Sequence, residues 1–228
     1  MSMTLEELLS ESLDADLKES WENERTATPV RAFAVRLHAT GCSLRETREI
    51  LALFGIERSH QAIFHWVHRV ADSVSDPPSA SPTRVAVDET AVKVNGEWLW
   101  VYAAIDTDTK LLLDVTVFEQ HGTDQAAVFL GQLAEKHDLS DAEFLVDGYG
   151  YRTALFRVGL SGQLNYTERN LIEKWFHTLK QRIDRFHTSW VGSQPSVQRW
   201  LEQFAHYYNH QRPHQSLDDQ TPAEEELN

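Results

Sequence analysis

Cysteine is nearly absent. Cys42 is the sole one in 228 residues, which excludes an internal disulfide and a multi-cysteine zinc site, and its helical setting reads as a small buried residue. Long apolar runs are missing too: nowhere do eighteen apolar residues follow one another, and the first thirty residues are acidic, with no basic start leading into an apolar block. The expectation is a cytoplasmic protein with no membrane partner. Lysine is scarce, six against fifteen arginines, and in an acid-rich chain that balance suggests a protein of a halophile, haloarchaeal in source, working in molar salt.

The formal net charge of −14 looks unsuited to binding a polyanion, so the distribution of charge matters more than its sum. Residues 1–28 contribute −6, 29–83 +1, 84–147 −9, 148–217 +5 and 218–228 −5. Acid gathers at the two ends and within 84–147. Residues 29–70, with six arginines against three glutamates, and the stretch from Arg152 to Arg212 are locally basic, and these two are the candidates for meeting phosphates.

Residues 1–28 read as an acidic extension with one short amphipathic helix around Leu5, Leu8, Leu9 and Leu13. Thr28-Pro29 has the form of an N-cap followed by proline at the first helical position; Val30, Phe33, Ala34 and Leu37 then make an apolar stripe that Gly41 ends. Ser43 to Glu46 has capping-box spacing and opens a helix that Gly55 stops, and Ser59 caps a third helix carrying Ile63, Trp66, Val67 and Val70. Three short helices with a glycine turn between the last two predict a helix-turn-helix domain over 29–76.

Pro77, Pro78 and Pro82 make 77–83 a linker, since they fix φ and remove backbone donors. Beyond it the pattern has period two, predicting antiparallel strands over 84–94, 97–105 and 110–118, the first pair joined by the hairpin signal Asn95-Gly96. A helix over 123–137, a short apolar strand over 143–146, a helix over 151–158, a weak strand over 163–166 and helices over 168–186 and 196–210 follow. The order βββαβαβα predicts an α/β, ribonuclease-H-like mixed sheet with helices on both faces, over 84–212, ahead of an acidic tail at 213–228.

Two aspartates interrupt apolar strands. Asp88 follows Val85-Ala86-Val87 and Asp147 follows Phe144-Leu145-Val146, places where an uncompensated buried charge costs several kcal/mol. Carboxylates brought together on rigid elements are what a hard divalent ion with oxygen ligands needs. Glu173 lies on the polar side of a helix striped by Leu171, Ile172, Trp175, Phe176, Leu179, Ile183 and Phe186, with His177, Lys180 and Asp184 sharing its face. Such a glutamate is ordinarily solvated, so spacing alone does not single it out.

Val87-Asp88-Glu89-Thr90, followed by Lys93, Gly96, Trp98, Tyr102 and Asp106, resembles the start of the catalytic core in the insertion-sequence-six family of DDE transposases. Arg169-Asn170 ahead of Ile172-Glu173, with Lys180 seven residues on, resembles that family's glutamate motif. The run from Tyr208 to Leu217, then Thr221-Pro222, is similar to a tail shared by insertion-sequence transposases and retroviral-type integrases. The resemblance spans about 29–222. It implies a DNA strand-transferase whose triad, Asp88, Asp147 and Glu173, binds two divalent ions, Mg²⁺ or Mn²⁺, for phosphoryl transfer. It further implies double-stranded DNA as partner, both terminal inverted repeats and target, and a homodimer or higher homo-oligomer in the active complex. Lys180, Arg169, Asn170, His177 and Arg212 would meet DNA from the core, and Ser59, His60, Gln61, His65 and Arg69 would meet a major groove from the third helix. One departure stands out: only 25 residues separate Asp147 from Glu173, fewer than is commonest in the superfamily, with Glu168 as the fallback ligand.

Other candidates carry ordinary readings. His206, His210 and His214 recur every four residues, but Pro213 should end the helix before a zinc site forms. Asp106, Asp108, Asp114, Asp138 and Asp141 read as solvated, Trp98 and Trp100 as sheet packing, and Tyr149, Tyr151, Tyr207 and Tyr208 as packing rather than nucleophiles. The competing functions are a DNA-binding regulator without catalysis and a ribonuclease-H-like nuclease that cuts without joining.

The charge distribution generates a first test. Repulsion among the acidic segments acts unscreened at low ionic strength, whereas 1 M salt cuts its range to about 3 Å. The melting temperature is expected to be higher in molar KCl than in dilute buffer. An equal or higher value in dilute buffer rejects the halophile reading without touching the transposase one.

Overall fold

The computed structural model describes residues 25–71, 77–94, 96–164, 170–185 and 193–227. The chain divides into two compact units, residues 1–75 and 76–228. The first holds α1 (Thr28–Ala39), α2 (Leu44–Leu53) and α3 (His60–Ala71). Ser43 and Glu46 close the expected capping box on α2, and Ser59 Oγ accepts from the Ala62 N–H at 3.1 Å. The expected cap of α1 does not form. Ala27 occupies the N-cap, and Thr28, already helical, accepts from Arg31 Nη2 at 2.9 Å, because proline is tolerated anywhere in the first turn, where its missing N–H is an orphan anyway. Gly41 and Gly55 leave their helices at φ of 110° and 74°. The stripes meet in one core of Ala34, Val35, Leu51, Ile63, Trp66, Val67 and Val70. Thr26, in the stretch read as an extension, is buried and accepts from Arg58 Nε at 2.7 Å.

The second unit runs β1 (Arg84–Val94), β2 (Glu97–Asp106), β3 (Leu112–Phe118), α4 (Thr123–Lys136), β4 (Glu143–Val146), α5 (Tyr149–Arg157), β5 (Gly162–Leu164), α6 (Asn170–Arg185), α7 (Gln194–His210), a 3-10 turn Gln215–Leu217 and α8 (Pro222–Glu226). The sheet order is β3-β2-β1-β4-β5, antiparallel across the first three strands and parallel from β1 through β4 to β5. This is the expected ribonuclease-H-like mixed sheet. Gly96, at φ of 88°, turns the hairpin so that Val94 faces Glu97. Gly162 lets β5 lie against β4: a Cβ there would sit 3.0 Å from Phe144 Cβ and 2.5 Å from Leu155 Cδ1.

Strand alternation builds two layers. Ala86, Val101, Ala103, Ile105 and Leu145 face α6 and α7, which contribute Ile172, Trp175, Phe176, Leu179, Trp200 and Phe204. Val85, Val87, Tyr102, Phe144 and Val146 face α4 and α5, with Phe129, Leu133, Tyr151 and Leu155. The acidic tail joins this second core through Ala223, at the start of α8, which Thr221 and Glu224 cap reciprocally.

Two aspartates read as solvated are buried instead, Asp106 at 2% and Asp114 at 7% exposure. Asp106 closes the β2–β3 turn, accepting from Asp108 N at 2.9 Å and Thr109 Oγ1 at 2.7 Å. Asp114 keeps by alternation the face of Thr116 and Phe118, which α4 covers; the bulge lies beyond it, β3 pairing Asp114 with Ala104 but Leu112 with Ile105, which inserts Leu113. Asp114 accepts from Val115 N at 2.9 Å and meets Lys136 at 3.3 Å. Asp108, Asp138 and Asp141 are exposed as expected. Trp100 packs, stacked on His121 at 3.8 Å, but Trp98 is 61% exposed near the hairpin tip, under Lys93.

The outer edge of β3 is closed by side-chain amides of α7. Gln198 accepts from Val117 N and donates to Val115 O, both at 3.0 Å; Gln194 donates to Val117 O at 3.0 Å; and Asn209 accepts from Leu112 N and donates to Leu112 O, both at 2.9 Å. An open strand edge otherwise templates pairing with another chain. Asn209→Ala strands two buried backbone groups, at about 1–3 kcal/mol each. The expected loss is about 2–5 kcal/mol by urea denaturation of the full chain; a loss below about 1 kcal/mol means water replaces the amide.

Candidate active site

β1 and β4 pair in parallel, Arg84 with Glu143, Val85 with Phe144 and Ala86 with Leu145. Carried two residues further, just past the end of β4, that register would bring Asp88 level with Asp147, the strands being spaced about 4.8 Å apart. Val85, Ala86, Val87, Phe144, Leu145 and Val146 are almost wholly buried, whereas both aspartates are half-buried, so the carboxylates stand where the paired apolar run reaches solvent. Asp88 Oδ1 accepts from the Glu89 N–H at 2.9 Å. Asp88 shares the sheet face of Ala86, two residues away, and that is the face on which α6 packs.

Glu173 sits in the first turn of α6, where the helix dipole favours an acid, one residue past the buried Ile172. It is exposed. Among the described residues no three His, Cys, Asp or Glu side chains cluster closely enough to hold a metal ion. Asp88 and Asp147 are thus brought together, and Glu173 is carried by the helix that covers their face without closing a triad. An oxygen-only, acidic donor set fits a hard divalent ion.

The other expected contacts distribute as follows. Asn170, His177 and Lys180 are exposed on α6, with Gln181 Nε2 donating to His177 Nε2 at 2.8 Å; Arg169 and Glu168 lie outside the described residues. Arg212 is half-buried, its guanidinium 5.6 Å from the Tyr208 ring. In the first unit Ser59, His60, Gln61, His65 and Arg69 are all exposed, on the side of α3 away from its buried stripe.

α7 ends at His210, before Pro213, as expected. His214 packs edge-on against Tyr208, its pKa lowered to about 4 by burial and by nearby Arg212 and Lys110, so it is neutral at pH 7. Tyr208 is pushed above its ordinary value by burial. Burial, then Glu89 and Asp88, hold the Tyr151 phenol well above its own, so neither tyrosine is poised as a nucleophile.

One pair escaped the sequence reading: the Tyr151 hydroxyl donates to Glu89 Oε2. Glu89 stood in the motif beside Asp88, and Tyr151 lies four residues after Asp147. No spacing rule links them, because the contact crosses from a strand to a helix.

Fold and paired aspartates define an acidic ribonuclease-H-like core. Residues 82–214, more than half of the chain, match the DDE domain family DDE_Tnp_IS240, and the chain belongs to that family. An uncharacterized protein of Methanocaldococcus jannaschii is 25% identical over 92% of this chain and 97% of its own length. The transposase for the insertion sequence-like element IS431mec of Staphylococcus aureus is 26% identical, over 41% of this chain and only 43% of that protein. Among solved structures, a chain of the simian T-cell lymphotropic virus intasome, in complex with PP2A regulatory subunit B56 gamma, superposes with a TM-score of 0.50 at 14% identity, over 86% of this chain and 74% of that one. That likeness shows the fold alone. Residues 82–214 are a DDE domain of the transposase type. Among the described residues no helix is long and apolar enough to cross a membrane.

Proposed function

We propose that the chain is a DNA transposase of the insertion-sequence-six type, acting in the cytoplasm as a homodimer or higher homo-oligomer. It binds the terminal inverted repeats of its element, cleaves the strand and transfers the 3′-hydroxyl end into target DNA. The observation that supports this reading is the parallel β1–β4 register, which, continued two residues past Ala86 and Leu145, would bring Asp88 level with Asp147 in a sheet of this topology.

Asp88, Asp147 and Glu173 would hold two Mg²⁺ or Mn²⁺ ions. When bound, these supply the Lewis acidity that activates water or a 3′-hydroxyl and stabilises the leaving oxygen. The chain's own part is to fix the carboxylates on rigid elements and to offer donors to phosphate. His177 and Lys180, at i+4 and i+7 from Glu173, line the exposed face of α6, with Asn170 and Arg169 ahead of them and Arg212 in the tail. Ser59, His60, Gln61, His65 and Arg69 read the terminal repeat from α3. A regulator without catalysis is the second reading, favoured by the one observation that Glu173 does not close a cluster.

Asp88→Asn or Asp147→Asn keeps the shape and removes the charge. Either is expected to lower Mg²⁺-dependent cleavage of a duplex carrying the element's ends by more than about a hundredfold, with binding of that duplex retained. Cleavage at a substantial rate in a variant removes that residue from the site, and metal-independent behaviour of the unmodified chain supports the regulator. Lys180→Ala is expected to weaken binding evenly across sequences and flatten the salt dependence by about one phosphate contact. Lost specificity at a single base position instead overturns its assignment to phosphate.

A further inference from the structure

We propose that the hydrogen bond between Tyr151 and Glu89 is a positioning device: it sets the separation of Asp88 and Asp147 and thereby the affinity of the site for divalent ions. The inference rests on the reading of those two aspartates as ligands.

Glu89 follows Asp88 on β1, and alternation sends it to the opposite face of the sheet. There it accepts from Tyr151, in the first turn of α5, four residues after Asp147. The recorded pairing of β1 with β4 runs only from Arg84–Glu143 to Ala86–Leu145, and β4 ends at Val146, so both aspartates lie just beyond it. The Tyr151–Glu89 bond crosses between the two segments at the level of the carboxylates.

Tyr151 is a fixed point from which to hold a strand. Its ring is buried in the α4–α5 core, 6.4 Å from that of Tyr102, whose hydroxyl accepts from Gly122 N at 3.0 Å. Tyr102 in turn lies opposite Glu89 in the β1–β2 register. Glu89, Tyr102 and Tyr151 therefore tie β1, β2 and α5 together beneath the face that bears Asp88. Mg²⁺ demands nearly ideal octahedral geometry, so the spacing of its ligands matters, and partners of the ligands typically control affinity or activity by about 10–100-fold. Glu89, facing away from Asp88, acts through the backbone and is not itself a ligand.

The test is direct Mn²⁺ binding to the DNA-free chain, followed by electron paramagnetic resonance, with thermal melts alongside. Tyr151→Phe deletes one oxygen and keeps the ring. It is expected to weaken Mn²⁺ binding by about tenfold or more, to shift the metal requirement of cleavage by a similar factor, and to leave metal-free binding of the terminal repeat unchanged. Glu89→Gln keeps an oxygen to accept from the phenol and should bind Mn²⁺ nearer to the unmodified chain than Glu89→Ala, which should resemble Tyr151→Phe. If Tyr151→Phe melts early, the contrast between Gln and Ala at position 89 decides. Unchanged Mn²⁺ affinity in Tyr151→Phe, or equal loss in Glu89→Gln and Glu89→Ala, overturns the positioning role. Asp88→Asn separates the two levels: if it too binds Mn²⁺ normally, the ligand reading falls and takes this inference with it. If it loses binding while Tyr151→Phe does not, only the positioning role falls.

Discussion

The β1–β4 register, continued two residues past its last pair, would bring Asp88 level with Asp147, two like charges where water only partly screens them. At about 5 Å and an effective dielectric near 20 their repulsion is roughly 3 kcal/mol, comparable to a large mutational effect. The Glu89 N–H offsets a little of it at Asp88. A one-residue slip of β4 against β1 would turn Phe144 and Val146 out of the α4–α5 core. Apolar burial therefore favours the register that would bring the two carboxylates together, a condition under which a cation binds well.

The rest of the sheet keeps that register in place. Gly162 allows β5 to close on β4, where any side chain would collide with Phe144 and Leu155. On the far side, Gln194, Gln198 and Asn209 recur along one face of α7 and satisfy the backbone of β3. This explains a tail that composition alone would call polar: Asn209, within the run from Tyr208 to Leu217, secures an edge strand. An assembly of several copies must then form through surfaces other than the edge of β3.

The strands, their hairpin and the helix stripes were legible because each writes a local period into the chain, and Ser43, Gly55, Ser59 and Gly96 mark its breaks. Asp88 and Asp147 stand out in the sequence for the same reason, as charges that follow apolar strand runs, and both are half-buried in the fold. What local periods do not carry is the meeting of distant segments. The helix α4, packed over the face of Asp114, overturned its solvated reading, and the burial of Asp106 came from a turn that folds onto its carboxylate. Trp98 looked like core by alternation, but alternation gives the face and not how far a helix extends to cover it. Glu173 remained ambiguous at both levels, exposed on a helix whose neighbours upstream, through Arg169, lie outside the described residues.

The acid concentrated in 84–147 follows from the same distinction. Its net charge of −9 looks hostile to DNA, yet much of it is engaged within the fold. Asp106 closes a turn, Asp114 meets Lys136, Asp108 accepts from Thr83, Glu143 approaches Arg84, Asp124 pairs with Arg157, and Glu89 holds Tyr151. The exposed pairs contribute little to stability, but each places a cation beside an acid and shortens the reach of its field. On α6, Lys174, His177 and Lys180 occupy exposed positions. Under the proposed function, a divalent ion held by Asp88 and Asp147 would lower the negative charge that opposes a polyanion, so ion and DNA binding would reinforce each other.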